Sequence, residues 1–320
     1  MKRLRAEVEK KDGEFKISHL PVHICSYNNF PTAAGLASSA SGFAALVASL
    51  AALYKLPVSP SQLSLIARQG SGSACRSLFG GFVAWEMGTK ADGTDSYAVE
   101  VAPREHWPDM HALICVVSDD KKGTSSTSGM QRTVETSPLL QHRIKEVVPQ
   151  RMNAISEAIK GRDFDAFARI TMADSNQFHA VCLDTEPPIF YMNDVSRAII
   201  ALIVEYNRLS LEAGGKRKAA YTYDAGPNAV IYAPKENMKE IVQLILAYFP
   251  QKEAFKDVNA VFGGEAAKAA VPTGFNEAVA KQFEVGAVKS LIHTRVGDGP
   301  RVLGEDETLL RPDGLPKTLA

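Results

Sequence analysis

The stretch NNFPTAAGLASSASG, residues 28–42, constrains this chain more than any other. It strips nearly all side-chain bulk from the backbone and ends where Phe43, Leu46, Val47, Leu50, Leu53 and Tyr54 begin a three-four spacing, the mark of one helical face starting at Ser38. A helix start leaves several backbone N–H groups without intrahelical partners and carries partial positive charge, so a small-residue lead-in can cradle an anion without a lysine. Gly35 admits a positive φ, Ser38 and Ser39 add hydroxyls, and Ser39 also offers an oxygen that can face a metal. Two readings stand on these residues: a cradle for a nucleotide triphosphate tail, or a capped helix start packed closely on a neighbour. Neither the G-x-x-x-x-G-K-[ST] phosphate loop nor the G-x-S-x-G nucleophile elbow is present.

Composition narrows the class. At 320 residues, 45% hydrophobic and 22% charged, the chain reads as one large or two interlocked globular domains. Thirty-six basic residues balance thirty-six acidic ones, which argues against nucleic acid or a polybasic membrane surface as partner. Cys25, Cys75, Cys115 and Cys182 form no C-x-x-C pair, so reduced thiols in a cytosolic protein are expected. MKRLRAEVEKKDGEF lacks an apolar signal-like core, and Ala40 to Leu56 is interrupted by polar residues and too short for a membrane span.

Periodicity and turn residues predict the remaining elements. Ser59, Pro60 and Gln62 predict a capping box and a helix ending near Gly70, followed by the glycine-serine segment GSGSACRS. Strands are expected at Phe82 to Met87 and Tyr97 to Val101, and the texture changes near residue 108. Beyond it come a buried strand at 111–118, the polar loop KKGTSSTSGM, and helices at about Leu139 to Ile159, Phe164 to Met172 and Pro188 to Glu212. Two short strands, AAYTYD and NAVIYA, then flank Ala225-Gly226-Pro227, ahead of a helix at Glu236 to Tyr248 and the strand VKSLIHTR. This order predicts an α+β chain with lobes at 1–108 and 109–320, the second ferredoxin-like, and a loose C-terminal RPDGLPKTLA. The histidines show no metal-ligand spacing, and His179 reads as structural. Cys75 adjoins Arg76, whose charge can lower a thiol pKa, although a small packed residue is the better reading.

P-T-A-A-G-L-A-S-S-A resembles the P-x-x-x-G-L-x-S-S-A phosphate loop of the galactokinase, homoserine kinase, mevalonate kinase and phosphomevalonate kinase superfamily. NNFPTAAGLASSASGFAAL, RQGSGSACRSLFGGFVAWEMG, ETSPLL, DSNQFHAVCLDT and TYDAGPNAV, in that order, resemble its mevalonate diphosphate decarboxylase family. The resemblance implies a two-lobed kinase-superfamily fold and ATP-dependent decarboxylation of mevalonate 5-diphosphate to isopentenyl diphosphate. ATP and Mg2+ are the implied cofactors, and a cytosolic homodimer in isoprenoid and sterol synthesis the implied setting.

Carried onto this chain, the resemblance implies catalytic roles for Asp224, Arg76 and Ser39, with Ser39 also facing the metal. Ala34, Gly35, Leu36, Ala37, Ser38 and Ser39 would surround the nucleotide phosphates. Ser71, Gly72, Ser73, Ala74, Cys75 and Arg76, with Thr127 and Ser175, would meet the substrate. Without the resemblance, Asp224 before Ala-Gly-Pro is a turn former and Arg76 a surface arginine. The family's opening block, A-P-x-N-I-A-x-x-K-Y-W-G-K, has no counterpart here, so an incomplete N-terminal lobe is expected. Two other readings follow: a related small-molecule kinase that stops at phosphate transfer, or an impaired form acting as an interaction subunit.

Overall fold

The computed structural model describes residues 1–12, 16–30, 32, 35–119 and 123–318, and the chain divides into two compact units. The first comprises residues 1–31, 37–103 and 297–320; the second comprises residues 32–36 and 104–296. No helix among the described residues is long and apolar enough to cross a membrane.

In the first unit, α1 (Lys2–Asp12), α2 (Ser38–Leu53) and α3 (Pro60–Gly70) precede a hairpin of β1 (Phe82–Trp85) and β2 (Ala98–Ala102). The Ser59 capping box forms as the sequence predicts, with Ser59 Oγ accepting from the Gln62 N–H and Gln62 Oε1 accepting from the Ser59 N–H. The glycine-serine segment is a 3-10 helix over Gly72–Leu78, not an open loop, because Ala74, Cys75 and Leu78 turn into the interior. Ala74 and Leu78 join Ala44, Val47 and Ala67 in the core between α2 and α3.

Residues 297–318 fall within the first of these units. They are held by backbone contact: Gly81 donates to the Gly297 carbonyl at 3.0 Å, and a Cβ on Gly80 would lie 2.7 Å from the Asp298 carbonyl. The terminal segment expected to be loose closes a Leu310–Pro316 bridge, and its Gly314 carbonyl meets His23 Nδ1 at 2.9 Å.

The second unit is built on a four-stranded antiparallel sheet. Its members are β3 (Met110–Val116), β4 (Ala220–Tyr223), β5 (Ala229–Pro234) and β6 (Ser290–Arg295), in the spatial order β4-β5-β3-β6. β3 pairs with β5 and β6 on its two edges, and it is a near-continuous apolar run because successive residues, which point to opposite faces, are buried along nearly its whole length. Between β3 and β4 lie α4 (Ser126–Thr136), α5 (Pro138–His142), α6 (Val148–Lys160), α7 (Phe164–Asp184) and α8 (Asp194–Glu212), while α9 (Lys235–Tyr248) joins β5 to β6. Leu113, Ile231, Leu202, Ile203, Ile241 and Ile245, all fully buried, form the centre of the core that the sheet shares with α8 and α9.

Three helix boundaries differ from the sequence reading. The helix expected over Leu139 to Ile159 is interrupted by a π-helical turn at Arg143–Val147, since Pro149 has no N–H to continue the α-helical ladder. α8 starts at Asp194, after Pro187 and Pro188, where Asn193 and Ser196 form a capping box. α7 runs past Met172 to Asp184, because the buried Ser175, His179, Val181 and Cys182 continue its inner face. That extension places DSNQFHA on a helix.

Candidate active site

In the first unit, α2 begins behind Ala37, which lies in the left-handed region (φ 58°) and supplies no side-chain cap. Its first turn holds no acidic residue, so nothing there opposes an anion at the positive helix end. Ser39 Oγ lies 3.2 Å from Ser71 Oγ, which brings the small-residue loop and the SGSACR segment together. Along the 3-10 helix Ser71, Ser73 and Arg76 are half-buried, whereas Ala74 and Cys75 have no exposed surface. The side chains of Ala74 and Cys75 are core residues, in line with the packed reading of Cys75. Burial raises the Cys75 thiol pKa despite the neighbouring Arg76 charge, so packing, not activation, describes it.

In the second unit, Gly35 (φ 76°) packs against the Asp224-Ala225-Gly226 turn: a Cβ there would lie 2.9 Å from Gly226 Cα and 3.2 Å from the Ala225 carbonyl carbon. The absence of a side chain lets two stretches of backbone touch, and Leu36 follows half-buried. Ala34 lies outside the described residues.

Asp224 projects from this turn with its side chain exposed, while its flanks are held. Gly226 N–H donates to the Asp224 carbonyl at 2.8 Å, Ser196 Oγ donates to the Pro227 carbonyl at 2.8 Å, and Asn228 Oδ1 accepts from the Val117 and Ser118 N–H groups at 2.6 and 2.9 Å. Upstream, Tyr223 O–H donates to the Ser196 carbonyl at 2.8 Å.

Ser175 is 4% exposed, and its hydroxyl accepts the Tyr223 N–H at 3.0 Å. The sequence reading aimed this residue at the substrate; its observed partner is the backbone that carries Asp224. Thr127, expected in a loop, stands exposed in the first turn of α4, whose N-cap Ser125 accepts from Ser128 N–H at 3.1 Å. Residues 121 and 122 of that expected loop lie outside the described residues. Ser196 and Asn228 hold the turn, and short-range spacing offers no signal for either.

Among the described residues no group of three or more His, Cys, Asp or Glu could hold a metal ion. Hydroxyl oxygens suit a hard cation such as magnesium, and the helix-start N–H groups suit the phosphates with which it would arrive.

Two family models match the chain: the diphosphomevalonate decarboxylase-like N-terminal domain over residues 1–98, and the mevalonate 5-diphosphate decarboxylase C-terminal domain over residues 112–303. A diphosphomevalonate decarboxylase of Ganoderma lucidum is 77% identical over 318 residues, covering 99% of this chain and 80% of that protein. A crystal structure of mevalonate 5-diphosphate decarboxylase is 46% identical with a TM-score of 0.81, covering 98% of this chain and 79% of that one. A structure described as MDDEF in complex with MVAPP, AMPPCP and magnesium is 36% identical with a TM-score of 0.60, over 69% of this chain and 65% of that one.

Proposed function

The chain belongs to the mevalonate 5-diphosphate decarboxylase family, an ATP-dependent carboxy-lyase that converts mevalonate 5-diphosphate to isopentenyl diphosphate, and we propose the following division of labour among its residues. The tertiary hydroxyl at C3 is a poor leaving group until it carries a phosphoryl group. Once phosphate departs, positive charge at C3 draws electrons from the bond to the carboxylate, and carbon dioxide leaves. The site must therefore hold many negative charges while tolerating a developing cation, which makes positioning and electrostatics the main sources of rate.

Asp224 stands beside the C3 hydroxyl as base or orienting group, and its negative charge favours the cation-like state. Its exposed carboxylate on a backbone pinned from several directions supports this role. Arg76 grips the substrate carboxylate with a planar two-pronged guanidinium that stays charged when partly desolvated. The N–H groups at the start of α2, with the Ser38 and Ser39 hydroxyls, cradle the ATP phosphates, and Gly35 and Ala37 keep bulk away from them. Ser39 Oγ is the protein oxygen we assign to Mg2+, which when bound neutralises phosphate charge. Ser71, Ser73 and the neighbouring backbone, with Thr127, meet the substrate.

The order β4-β5-β3-β6, with helices after β3 and β5, supports a ferredoxin-like second lobe. The two-stranded sheet described in the first unit supports a reduced form of the superfamily's N-terminal lobe. Family membership also supports a cytosolic homodimer serving isoprenoid and sterol synthesis.

The observation that carries the reading is that two decarboxylase domain models match in order along the chain, in which Gly35 of the phosphate-loop motif packs on the Asp224 turn. Incubation with mevalonate 5-diphosphate and MgATP should release carbon dioxide and ADP in equal amounts. ADP without carbon dioxide would instead mark a kinase that stops at phosphate transfer.

A further inference from the structure

Two anchors flank the exposed Asp224 carboxylate. Upstream, the Ser175 hydroxyl accepts the Tyr223 N–H at 3.0 Å. Downstream stands Asn228, 1% exposed, the residue before β5. The backbone ladder between β3 and β5 stops at Cys115 opposite Ala229, and past that point the Asn228 carboxamide takes the place of a strand. Its Oδ1 accepts the Val117 and Ser118 N–H groups at 2.6 and 2.9 Å, while its Nδ2 donates to the Ser118 carbonyl at 2.9 Å. Two donors against one end of the amide and an acceptor against the other fix which way it points.

The three bonds call for an amide. An aspartate would set an oxygen against the Ser118 carbonyl, and a leucine of similar size would leave the N–H of the buried Val117 without its acceptor. Between Asn228 and Asp224 the chain has little freedom. The Gly226 N–H closes on the Asp224 carbonyl at 2.8 Å, Ala225 is 3% exposed, and Pro227 has a ring-fixed φ and a carbonyl that accepts from Ser196 Oγ at 2.8 Å. The carboxylate itself is exposed, so the backbone beneath it sets where it points. We propose, on the reading of Asp224 given above, that Asn228 is a positioning residue for the reaction: by tying the Asp224 turn to the exit of β3 it holds the carboxylate toward C3.

The test compares Asn228→Leu, which keeps the volume and loses all three bonds, with Asn228→Ala, each alone and combined with Asp224→Asn. In the full chain both single variants should lower kcat by about tenfold to a hundredfold while leaving both KM values within about threefold. Amide exchange at Val117 and Gly226 should quicken, with α9 unchanged. A residue that acts through Asp224 has nothing left to position once that carboxylate is gone. Adding Asn228→Leu to Asp224→Asn should therefore change kcat by less than about threefold. Wild-type kcat in Asn228→Leu, losses that multiply in the double variant, or a loss confined to KM would overturn the proposal.

Failure of the proposal and failure of the reading beneath it look different. Should Asp224→Asn lose turnover while Asn228→Leu keeps it, the positioning role alone fails. Should Asp224→Asn turn over like the unmodified chain, the reading of Asp224 fails and takes the role of Asn228 in the reaction with it. Should the unmodified chain release no carbon dioxide, the decarboxylase reading fails, and exchange at Gly226 decides whether Asn228 holds the turn: unchanged protection in Asn228→Leu rejects it. If neither the leucine nor the alanine variant folds, Asn228→Asp decides, since it keeps the acceptor for Val117 and Ser118 and loses only the donor to the Ser118 carbonyl. Wild-type kcat there, or a loss that multiplies with Asp224→Asn, rejects the proposal; a loss that vanishes in the Asp224→Asn background supports it.

Discussion

Gly35 and Gly226 touch backbone to backbone: a single methyl group on Gly35 would stand 2.9 Å from the Gly226 Cα. Gly35 also has a φ of 76°, where an L side chain costs about 1–2 kcal/mol before any clash is counted. Gly35→Ala should therefore displace the turn that carries Asp224. We expect kcat to fall at least about tenfold with a lowered Tm, checked by steady-state kinetics and thermal unfolding. An alanine variant with wild-type turnover would mean that the close approach is incidental.

Replacing Asp224 by asparagine removes charge at C3 and leaves the phosphate cradle alone. Turnover should drop by about 10²- to 10⁴-fold, while ATP affinity, measured by calorimetry, stays within about threefold. A matched loss of ATP affinity would relocate Asp224 to the nucleotide side.

Ser39→Ala should act on the opposite partner. Loss of a hydroxyl directed at charged phosphate should weaken ATP binding by about tenfold, with Ser71 left without its neighbour at 3.2 Å. Equal ATP affinity in wild type and variant would remove Ser39 from the nucleotide site.

Arg76→Lys keeps the charge and loses the fork. A point-like ammonium cannot reproduce two parallel bonds to a carboxylate, so kcat/KM for mevalonate 5-diphosphate should fall at least about tenfold. Kinetics at saturating ATP would separate this from a nucleotide effect, and an unimpaired lysine variant would argue against a two-pronged grip.

The second unit contains a buried imidazole pair that gives stability its own pH dependence. His111 Nδ1 and His293 Nε2 are 2.9 Å apart, linking β3 to β6. Burial lowers both, and His111 helps lower His293 to about 4, against about 6.5 in an unfolded chain. Between those values the unfolded chain binds more protons, so this contribution is complete above about pH 6.5 and is lost as pH falls toward 4. Denaturant midpoints from pH 4 to 8 should decline on the acid side, and His293→Leu should flatten that decline. An equally steep profile in the variant would assign the acid sensitivity to other groups.

Local chemistry was legible in the sequence wherever short-range physics sets the outcome. The start of α2 at Ser38, the Ser59 capping box and the two short strands around Ala225-Gly226-Pro227 all follow from spacing, caps and turn residues. Boundaries failed where burial overrode local signals. α7 looked finished at Met172 because the polar run Asp174, Ser175, Asn176 and Gln177 breaks the apolar pattern; these residues find partners instead. Asp174 meets Arg143 and Arg151 at 2.7 and 3.0 Å, and Tyr221 O–H donates to Asn176 Oδ1 at 3.0 Å.

By itself the sequence determined which residue types were available and how each short segment folds: a bulk-free loop before an apolar helix, and an aspartate on a tight turn between strands. Only the tertiary structure decided that Gly35 lies against Gly226, that Ser175 faces the Tyr223 amide, and that Ala74 and Cys75 turn inward. The reason is physical. Periodicity and capping act over a few neighbouring residues, whereas the contacts around Asp224 join segments far apart in the chain, and only closure of the core brings those segments into reach.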